Sequence, residues 1–265
     1  MIKSSAINNQ ALFIDLSTHD IQRIPINSSI RIKYLGGKGM ALKLLHDFIQ
    51  PGVDPLSPEN VLIFATGATA GTAAPAGGRF VVVSKSPLTG IYASSYAGGR
   101  FGLSLKKSGY DALIIAGKSD NPSFIQIEDE SIKICDAQNL WGMDTYRFQD
   151  HQKSLGDWVV IGPAGENLVR YALIASDNRV AGRCGMGAVM GSKNLKGIVA
   201  RGSKKFQAQA PDQFKKALKI AQAKVKAHDN TGRRLKELGT SKMLLFSEPP
   251  ALCQLEIFSD PDLSK

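Results

Sequence analysis

Two stretches of the chain are built from the same parts in the same order. In the first, Arg79-Phe80-Val81-Val82-Val83-Ser84 leads to Ala97-Gly98-Gly99-Arg100-Phe101-Gly102 and then to Ala112-Leu113-Ile114-Ile115-Ala116-Gly117-Lys118-Ser119. In the second, Arg170-Tyr171-Ala172-Leu173-Ile174-Ala175 leads to Ala181-Gly182-Arg183-Cys184-Gly185 and then to Gly197-Ile198-Val199-Ala200-Arg201-Gly202-Ser203. Each reads as strand, Ala/Gly-rich turn, short helix, strand. An internal repeat constrains the fold more than any local motif, because each copy must be one similar supersecondary unit. Two related units imply two related sites that face one another. The alternative is a duplication that serves only to build two sheets.

The densest part of the second copy is Asn178–Lys196, with four glycines in ten residues flanked by two arginines and two lysines. Glycine lets a backbone approach a ligand closely. Successive N–H groups at a helix start make an anion site. The stretch therefore reads as a phosphate cradle, or equally as a tight strand–helix connection that needs small residues.

Elsewhere the pattern is that of a mixed α and β domain. Ala11–Leu16 and Ile21–Ile26 read as a hairpin with His19 at its tip, and Phe124–Ile127 with Ile132–Ile134 as a second. The acidic Glu128-Asp129-Glu130 between the latter reads as a solvated turn rather than a metal site. Tyr34-Leu35-Gly36-Gly37-Lys38-Gly39 opens a helix whose apolar face is Met40, Leu44, Leu45 and Phe48, with His46 towards solvent. Val61–Ala65 is a buried strand. Thr66–Gly78 has no charged residue and delivers Arg79, a side chain suited to bidentate phosphate binding. Asp144–Leu155 reads as helical, Trp158–Ile161 as a strand, Gly162–Asn167 as a turn and Leu168–Ala175 as an apolar lead-in. Pro211-Asp212 starts an amphipathic helix with Phe214, Ala217, Leu218 and Ala221 on one side, and a further short helix is predicted to end near Gly239.

The 265 residues carry a net charge of +10, and residues 201–265 hold 13 Lys and Arg against 7 Asp and Glu. The excess is therefore mostly C-terminal, without the basic and aromatic interleaving of a nucleic-acid surface. No apolar run reaches the roughly 18 residues of a membrane span, and the N-terminus lacks the pattern of a signal peptide. Cys135, Cys184 and Cys253 are widely spaced without a CxxC, so neither a disulfide framework nor a self-contained zinc or iron–sulfur site is suggested. A cytoplasmic protein without nucleic-acid or membrane partners is expected.

Six blocks in order carry a more specific signal: Tyr34–Gly39, Asp54–Asn60, Ser84–Gly90, Gly109–Ala112, Ile161–Leu168 and Gly187–Lys196. Together they resemble the N-terminal domain of the aldehyde:ferredoxin oxidoreductase family over roughly residues 10–205. The resemblance implies an α+β fold: an internally duplicated domain of two β-sheets with short helices over residues 1–205, then a truncated helical segment, 206–265, that begins a second domain. It implies a tungstopterin (or molybdopterin) enzyme with two pyranopterins, oxidation of an aldehyde to a carboxylate, and a 4Fe-4S cluster that passes electrons to ferredoxin.

By motif position, Arg79 matches the family arginine between the two pterin phosphates. Ser95-Tyr96-Ala97-Gly98-Gly99 matches a pterin-contacting loop, and Arg179-Val180-Ala181-Gly182-Arg183 its symmetry-related partner. A Mg2+ ion bridging the phosphates takes backbone carbonyls at Tyr96 and Val180. Tyr96 stands where the family often has Asn, and Cys184 where Gly is usual. The cluster cysteines and acid/base residues of the family have no counterpart here, so no catalytic residue is assigned. A separate chain carrying the remaining domains is one expectation, a non-catalytic assembly subunit or an inactive truncated product another, and self-association into a homo-oligomer is left open.

Overall fold

The computed structural model describes residues 7–206, 208–234 and 237. Residues up to Pro211 form one compact unit, and a second begins at Asp212.

The first half of the larger unit has six strands. They are β1 (Gln10–Asp15), β2 (Ile21–Pro25), β3 (Leu62–Thr66), β4 (Phe80–Lys85), β5 (Tyr92–Ala97) and β6 (Ala112–Ala116). Its helices are α1 (Ser28–Tyr34), α2 (Gly37–Phe48) and α3 (Phe101–Lys107). The second half repeats the plan with β7 (Ser123–Glu128), β8 (Ser131–Asp136), β9 (Asp157–Val160), β10 (Ile174–Ser176), β11 (Arg179–Ala181) and β12 (Leu195–Arg201). Its helices are α4 (Thr145–Gln152), α5 (Pro163–Glu166) and α6 (Met186–Ser192). The sheet orders are β2-β1-β6-β3-β4-β5 and β8-β7-β12-β9-β10-β11. Adding six to each strand number of the first sheet produces the second. In both sheets one central pair is parallel, β1 with β6 and β7 with β12. The duplication thus covers all six strands, where the sequence showed only the last part of each copy.

The continuous apolar runs are strands covered on both faces. In β6, Leu113 and Ile115 point into the main core while Ala112 and Ile114 face a second cluster with Met40, Leu44 and Leu45 of α2. In β9, Val159 joins the main core while Trp158 and Val160 meet Phe148 of α4. The main core includes Phe101 and Leu105 of α3 and Met186, Val189 and Met190 of α6. Each sheet therefore has one helix on its outer face and shares α3 and α6 on its inner face. Phe64, Phe80 and Phe101 meet edge-on or tilted at 5.4–6.2 Å between ring centroids, contacts worth about 0.5–1.5 kcal/mol each beyond area burial.

Three local expectations need correction, and one helix adds to them. Helix α1 was not anticipated; Asn27 Oδ1 caps it by accepting from Ile30 N–H at 2.9 Å. Only Ile174–Ser176 of the apolar lead-in is a strand, because Val169–Leu173 coils back: Val169 N–H donates to Ala164 O and Ala172 N–H to Val169 O. Gly162–Asn167 contains the single helical turn α5, with Pro163 at its start. Ser95–Ala97 is strand rather than loop, and only Gly98–Arg100 turns. His19 does occupy the first hairpin's tip, at φ +61°. His46 is solvent-facing, and Asp129 sits in its turn at φ +49°. The described residues contain no group of three or more His, Cys, Asp or Glu side chains placed to hold a metal ion.

In the second unit, α7 (Pro211–Ala227) is an amphipathic helix with none of its residues buried, followed by a π-helical turn, Asn230–Arg234. The ends of the helix predicted near Gly239 and of the tail, including Cys253, lie outside the described residues. No helix among the described residues is long and apolar enough to cross a membrane.

Candidate anion-binding cleft

Strands β5 and β11 are the edge strands of their sheets and approach each other. Each ends in a turn that enters an inner helix. Arg183 N–H donates to the buried Ser95 Oγ at 3.1 Å, tying the two turns together. Each hairpin tip also reaches the helix start of the other half. Asp177 Oδ2 accepts from Arg100 N–H at 2.8 Å, and Ser86 Oγ donates to Cys184 O at 2.8 Å. These reciprocal bonds fix the edges against one another.

The repeat register can be read from strand pairing. Phe80 pairs with Ala97 and Val81 with Tyr96; Ile174 pairs with Ala181 and Ala175 with Val180. Tyr96 and Val180 are therefore equivalent positions, half exposed at 46% and 48%. By the same register Arg79 corresponds to Leu173, not to Arg170 as the linear match suggests. The linear match slips because the second hairpin has three strand pairs where the first has six.

Between the edges lies an open cleft of ≈ 690 Å³ lined by Arg79, Ser94, Ser95, Tyr96, Val180, Gly182 and Arg183. Six of the ten residues expected at a cofactor site line it, and Ser94 is an addition, since alternation along β5 was not recognised. Ala97 is buried beneath the cleft. Gly98, Gly99 and Arg179 stand behind it: a methyl group on Gly98 would come 3.4 Å from Arg179 Cγ, and one on Gly99 2.6 Å from Ser176 Oγ. Gly99 also has φ +95°, so glycine is required there on two counts. Gly182 differs, because a methyl group would meet only Val180 Cγ2, at 3.4 Å. Its surroundings are open towards the cleft.

The electrostatics single out this cleft. Arg79 and Arg183 contribute its formal charges, and no carboxylate lines it. Among the described residues neither guanidinium, nor that of Arg179, has an ion-pair or hydrogen-bond partner. Unpaired arginines converging without an acid make a site for an anion with several oxygens. By contrast, a cleft of ≈ 340 Å³ beside α4 mixes Arg100 and Lys153 with Asp150 and Asp177. There Arg100 already pairs with Asp157 at 3.1 Å and Asp177 at 3.9 Å.

The rest of the glycine stretch is packing. Gly185, at φ +71°, faces Arg170 O, Gly187 faces Leu173 O and Gly191 faces Gly165 O, each so closely that a methyl group would clash with backbone. All of α6 is buried. The stretch therefore divides at Cys184: Gly182 and Arg183 line the cleft, while Gly185–Gly191 wedge a helix between two sheets. Cys184 itself is half-buried at φ +66° and packs against the main core.

The two lysines of the stretch do not serve the cleft either. Lys193 is fully buried and its ammonium donates to Pro58 O (3.1 Å), Asn60 O (2.5 Å) and Gly117 O (2.9 Å). Burial pushes it down to about 8, against the pull of Asp15 and Glu59. Lys196 is buried against Glu166 and Met143 O, and Lys106 against Asp111 at 2.7 Å; burial lowers both, and their carboxylate partners oppose the shift. Nothing in a single sequence distinguishes such structural lysines from exposed ones.

A family model described as "Aldehyde ferredoxin oxidoreductase, N-terminal domain" matches residues 11–202. The tungsten-containing aldehyde ferredoxin oxidoreductase of Pyrococcus furiosus is 44% identical over 237 residues, 87% of this chain and 39% of the relative. That of Pyrococcus horikoshii is 42% identical over 241 residues, 88% and 39%. The WOR-like subunit of an aliphatic sulfonate oxidoreductase of Pyrococcus furiosus is 33% identical over 219 residues, 75% and 35%. Among solved structures, the active site complex BamBC of benzoyl coenzyme A reductase with 1,5 dienoyl-CoA superposes with a TM-score of 0.82 at 36% identity, covering 85% of this chain and 35% of that one. The chain thus spans 39% of the length of the two tungsten-containing aldehyde ferredoxin oxidoreductases named here. A family-model match over residues 11–202 and relatives 42–44% identical over 87–88% of the chain place it in the aldehyde ferredoxin oxidoreductase family.

Proposed function

We propose that this chain is the part of a tungsten (or molybdenum) aldehyde:ferredoxin oxidoreductase that holds the bis-pyranopterin cofactor by its phosphates in the β5–β11 cleft. The observation that carries the reading is the convergence of Arg79 and Arg183, one from each half, without a carboxylate. The open space beside Gly182 fits a phosphate-bearing ligand approached by backbone. The names of the relatives supply tungsten and aldehyde oxidation.

In this reading Arg79 and Arg183 neutralise the phosphates, each charge-assisted bond being worth about 1.5–3 kcal/mol. Backbone carbonyls at the equivalent positions Tyr96 and Val180 would hold a Mg2+ ion. The cofactor, when bound, supplies the oxygen transfer and the two-electron redox change. A 4Fe-4S cluster would supply electron exit to ferredoxin; the widely spaced Cys135, Cys184 and Cys253 do not form a ligand set for one. Co-expression with a pterin biosynthetic pathway, followed by elemental analysis, tests the reading. About one tungsten or molybdenum per pair of pterins is expected, and metal-free protein under every condition would refute it.

A second reading is favoured by the two relatives named as parts of larger assemblies, the WOR-like subunit and BamBC. There the chain is a cofactor-binding subunit and another polypeptide carries the cluster and the catalytic groups. Stable co-purification with such a chain supports it.

A further inference from the structure

Phe206 stands outside the cleft, yet a continuous set of contacts ties it to the loop that delivers Arg79. One edge of its ring lies against Gly71: a methyl group there would come 2.7 Å from Cδ2 and 2.8 Å from Cε2. Gly71 has φ +83° and sits inside the Thr69–Thr72 turn, where Thr72 Oγ1 donates to Thr69 O at 2.7 Å. Gly77 packs on the same Thr69 carbonyl, which a methyl group would approach to 2.9 Å. Gly77 N–H also donates to Ala74 O at 3.3 Å. Arg79 follows after Gly78, beside which a methyl group would meet nothing within 4 Å. The other end of the loop is pinned where Lys106 Nζ donates to Gly67 O at 3.2 Å. Between Gly67 and Gly78 there is no charged side chain that could anchor the loop by itself. The Arg79 guanidinium has no partner among the described residues, so the loop backbone decides where its charge stands.

We infer that Phe206 is a positioning residue for Arg79. The segment leaving β12 docks its ring on Gly71 and thereby sets the loop that presents Arg79 to the phosphate-bearing ligand. The anion affinity of the cleft then follows the seating of a ring on the connection to the next unit. This rests on reading the cleft as a phosphate site.

The test uses the 265-residue chain, with inorganic pyrophosphate as probe, titrated calorimetrically at low ionic strength. Phe206→Ala is expected to weaken pyrophosphate binding about three- to tenfold, with the melting temperature little changed because the ring is only half-buried. Phe206→Leu, which keeps an apolar contact, restores most of the affinity. Gly71→Ala, which displaces the ring, reproduces the loss and adds little to Phe206→Ala. The decisive variant is Phe206→Ala combined with Arg79→Met: a residue acting through Arg79 leaves the pair no weaker than Arg79→Met alone. Unchanged affinity in both Phe206→Ala and Gly71→Ala, with a loss in Arg79→Met, overturns the inference and leaves the cleft intact. A loss in Phe206→Ala that persists in full without Arg79 also overturns it. Unchanged affinity in Arg79→Met removes the phosphate reading and the inference together.

Discussion

Replacing Lys193 with methionine tests what holds the two halves of the duplicated domain together. Lys193 follows α6 in the second half, and its three carbonyl acceptors, Pro58, Asn60 and Gly117, all belong to the first. Pro58 O keeps a bond from Gly117 N–H at 3.1 Å in the variant. Asn60 O and Gly117 O lose the donor they have among the described residues, at about 1–3 kcal/mol each. Against this, the variant no longer buries an ammonium. The fall from 10.5 to about 8 on burial means that the charged form is disfavoured in the fold by roughly 3 kcal/mol, at about 1.4 kcal/mol per pH unit. The two effects nearly offset below pH 8, so the variant is expected to lose only about 1 kcal/mol there. Above pH 8 the folded lysine releases its proton while the unfolded one keeps it until about 10.4. The unfolded state then binds more protons, and this group's contribution to stability rises with pH. The cost of Lys193→Met should therefore grow by about 2.5 kcal/mol between pH 7 and pH 10. Urea unfolding followed by tryptophan fluorescence, with both proteins compared at each pH, reads this difference and cancels the other titrating groups. A difference that is flat or shrinks from pH 7 to pH 10 would refute the reasoning.

The glycines separate packing from binding. Gly187→Ala should cost about 3 kcal/mol or more in thermal unfolding, since its methyl group meets Leu173 O, even though alanine gains about 1 kcal/mol in helix propensity. Gly182→Ala should change stability by less than about 0.5 kcal/mol while lowering pyrophosphate affinity, because its methyl group enters the cleft. Arg183→Met should leave the melting temperature unchanged and weaken pyrophosphate binding roughly tenfold, the equivalent of one charge-assisted bond. Asp111 is buried and accepts from Asn8 N–H (3.3 Å), Asn9 N–H (2.7 Å), Arg31 and Lys106. Asp111→Asn should destabilise the fold by about 3–5 kcal/mol, since it leaves Lys106 and Arg31 short of a counter-charge; a midpoint within about 1 kcal/mol of the parent would contradict that.

Much of this was legible from residues whose meaning is local. The apolar runs at Val61–Ala65 and Ala112–Ala116 are strands because both their faces are covered, and Pro211-Asp212 does start a helix. The expectation for β10 failed at Val169–Leu173, where tertiary packing on Gly185 and Gly187 overrides an apolar pattern that suits a strand. Strand β5 is hidden in the sequence because Tyr92–Ala97 has a serine pair between two tyrosines four residues apart instead of an apolar run. Arg79 and Arg183 could be proposed from their glycine neighbours. The burial of Lys193 and Lys196 could not, because their acceptors are carbonyls and a glutamate far away in the chain.

The site also explains why the duplication is imperfect. An edge strand carries unpaired backbone groups that invite association with another chain. Here the fold sets the two edges, β5 and β11, against each other and links them through Ser95 and the Arg183 amide. A strictly symmetric junction would carry two copies of each charge. Instead Arg79 corresponds to Leu173, and Arg183, two residues past Ala181, corresponds to Gly99, two residues past Ala97. Each half thus supplies one arginine from a different position: one ahead of its hairpin, the other behind it. Meanwhile the carbonyl-bearing positions Tyr96 and Val180 stay equivalent. On the proposed reading, a ligand with two like phosphates would use that equivalence at the backbone, while the side chains approach it from unlike directions. The asymmetry predicts unequal roles. Arg79 depends on the long uncharged loop, so its contribution should vary with mutations in residues 66–78 and at Phe206. Arg183 is fixed by its own amide on Ser95, so its contribution should fall with Ser95→Ala and be indifferent to changes in the loop. Pyrophosphate titrations of Ser95→Ala and Gly71→Ala in Arg79→Met and Arg183→Met backgrounds separate the two; equal coupling of both substitutions to both arginines would show that the halves act as one unit.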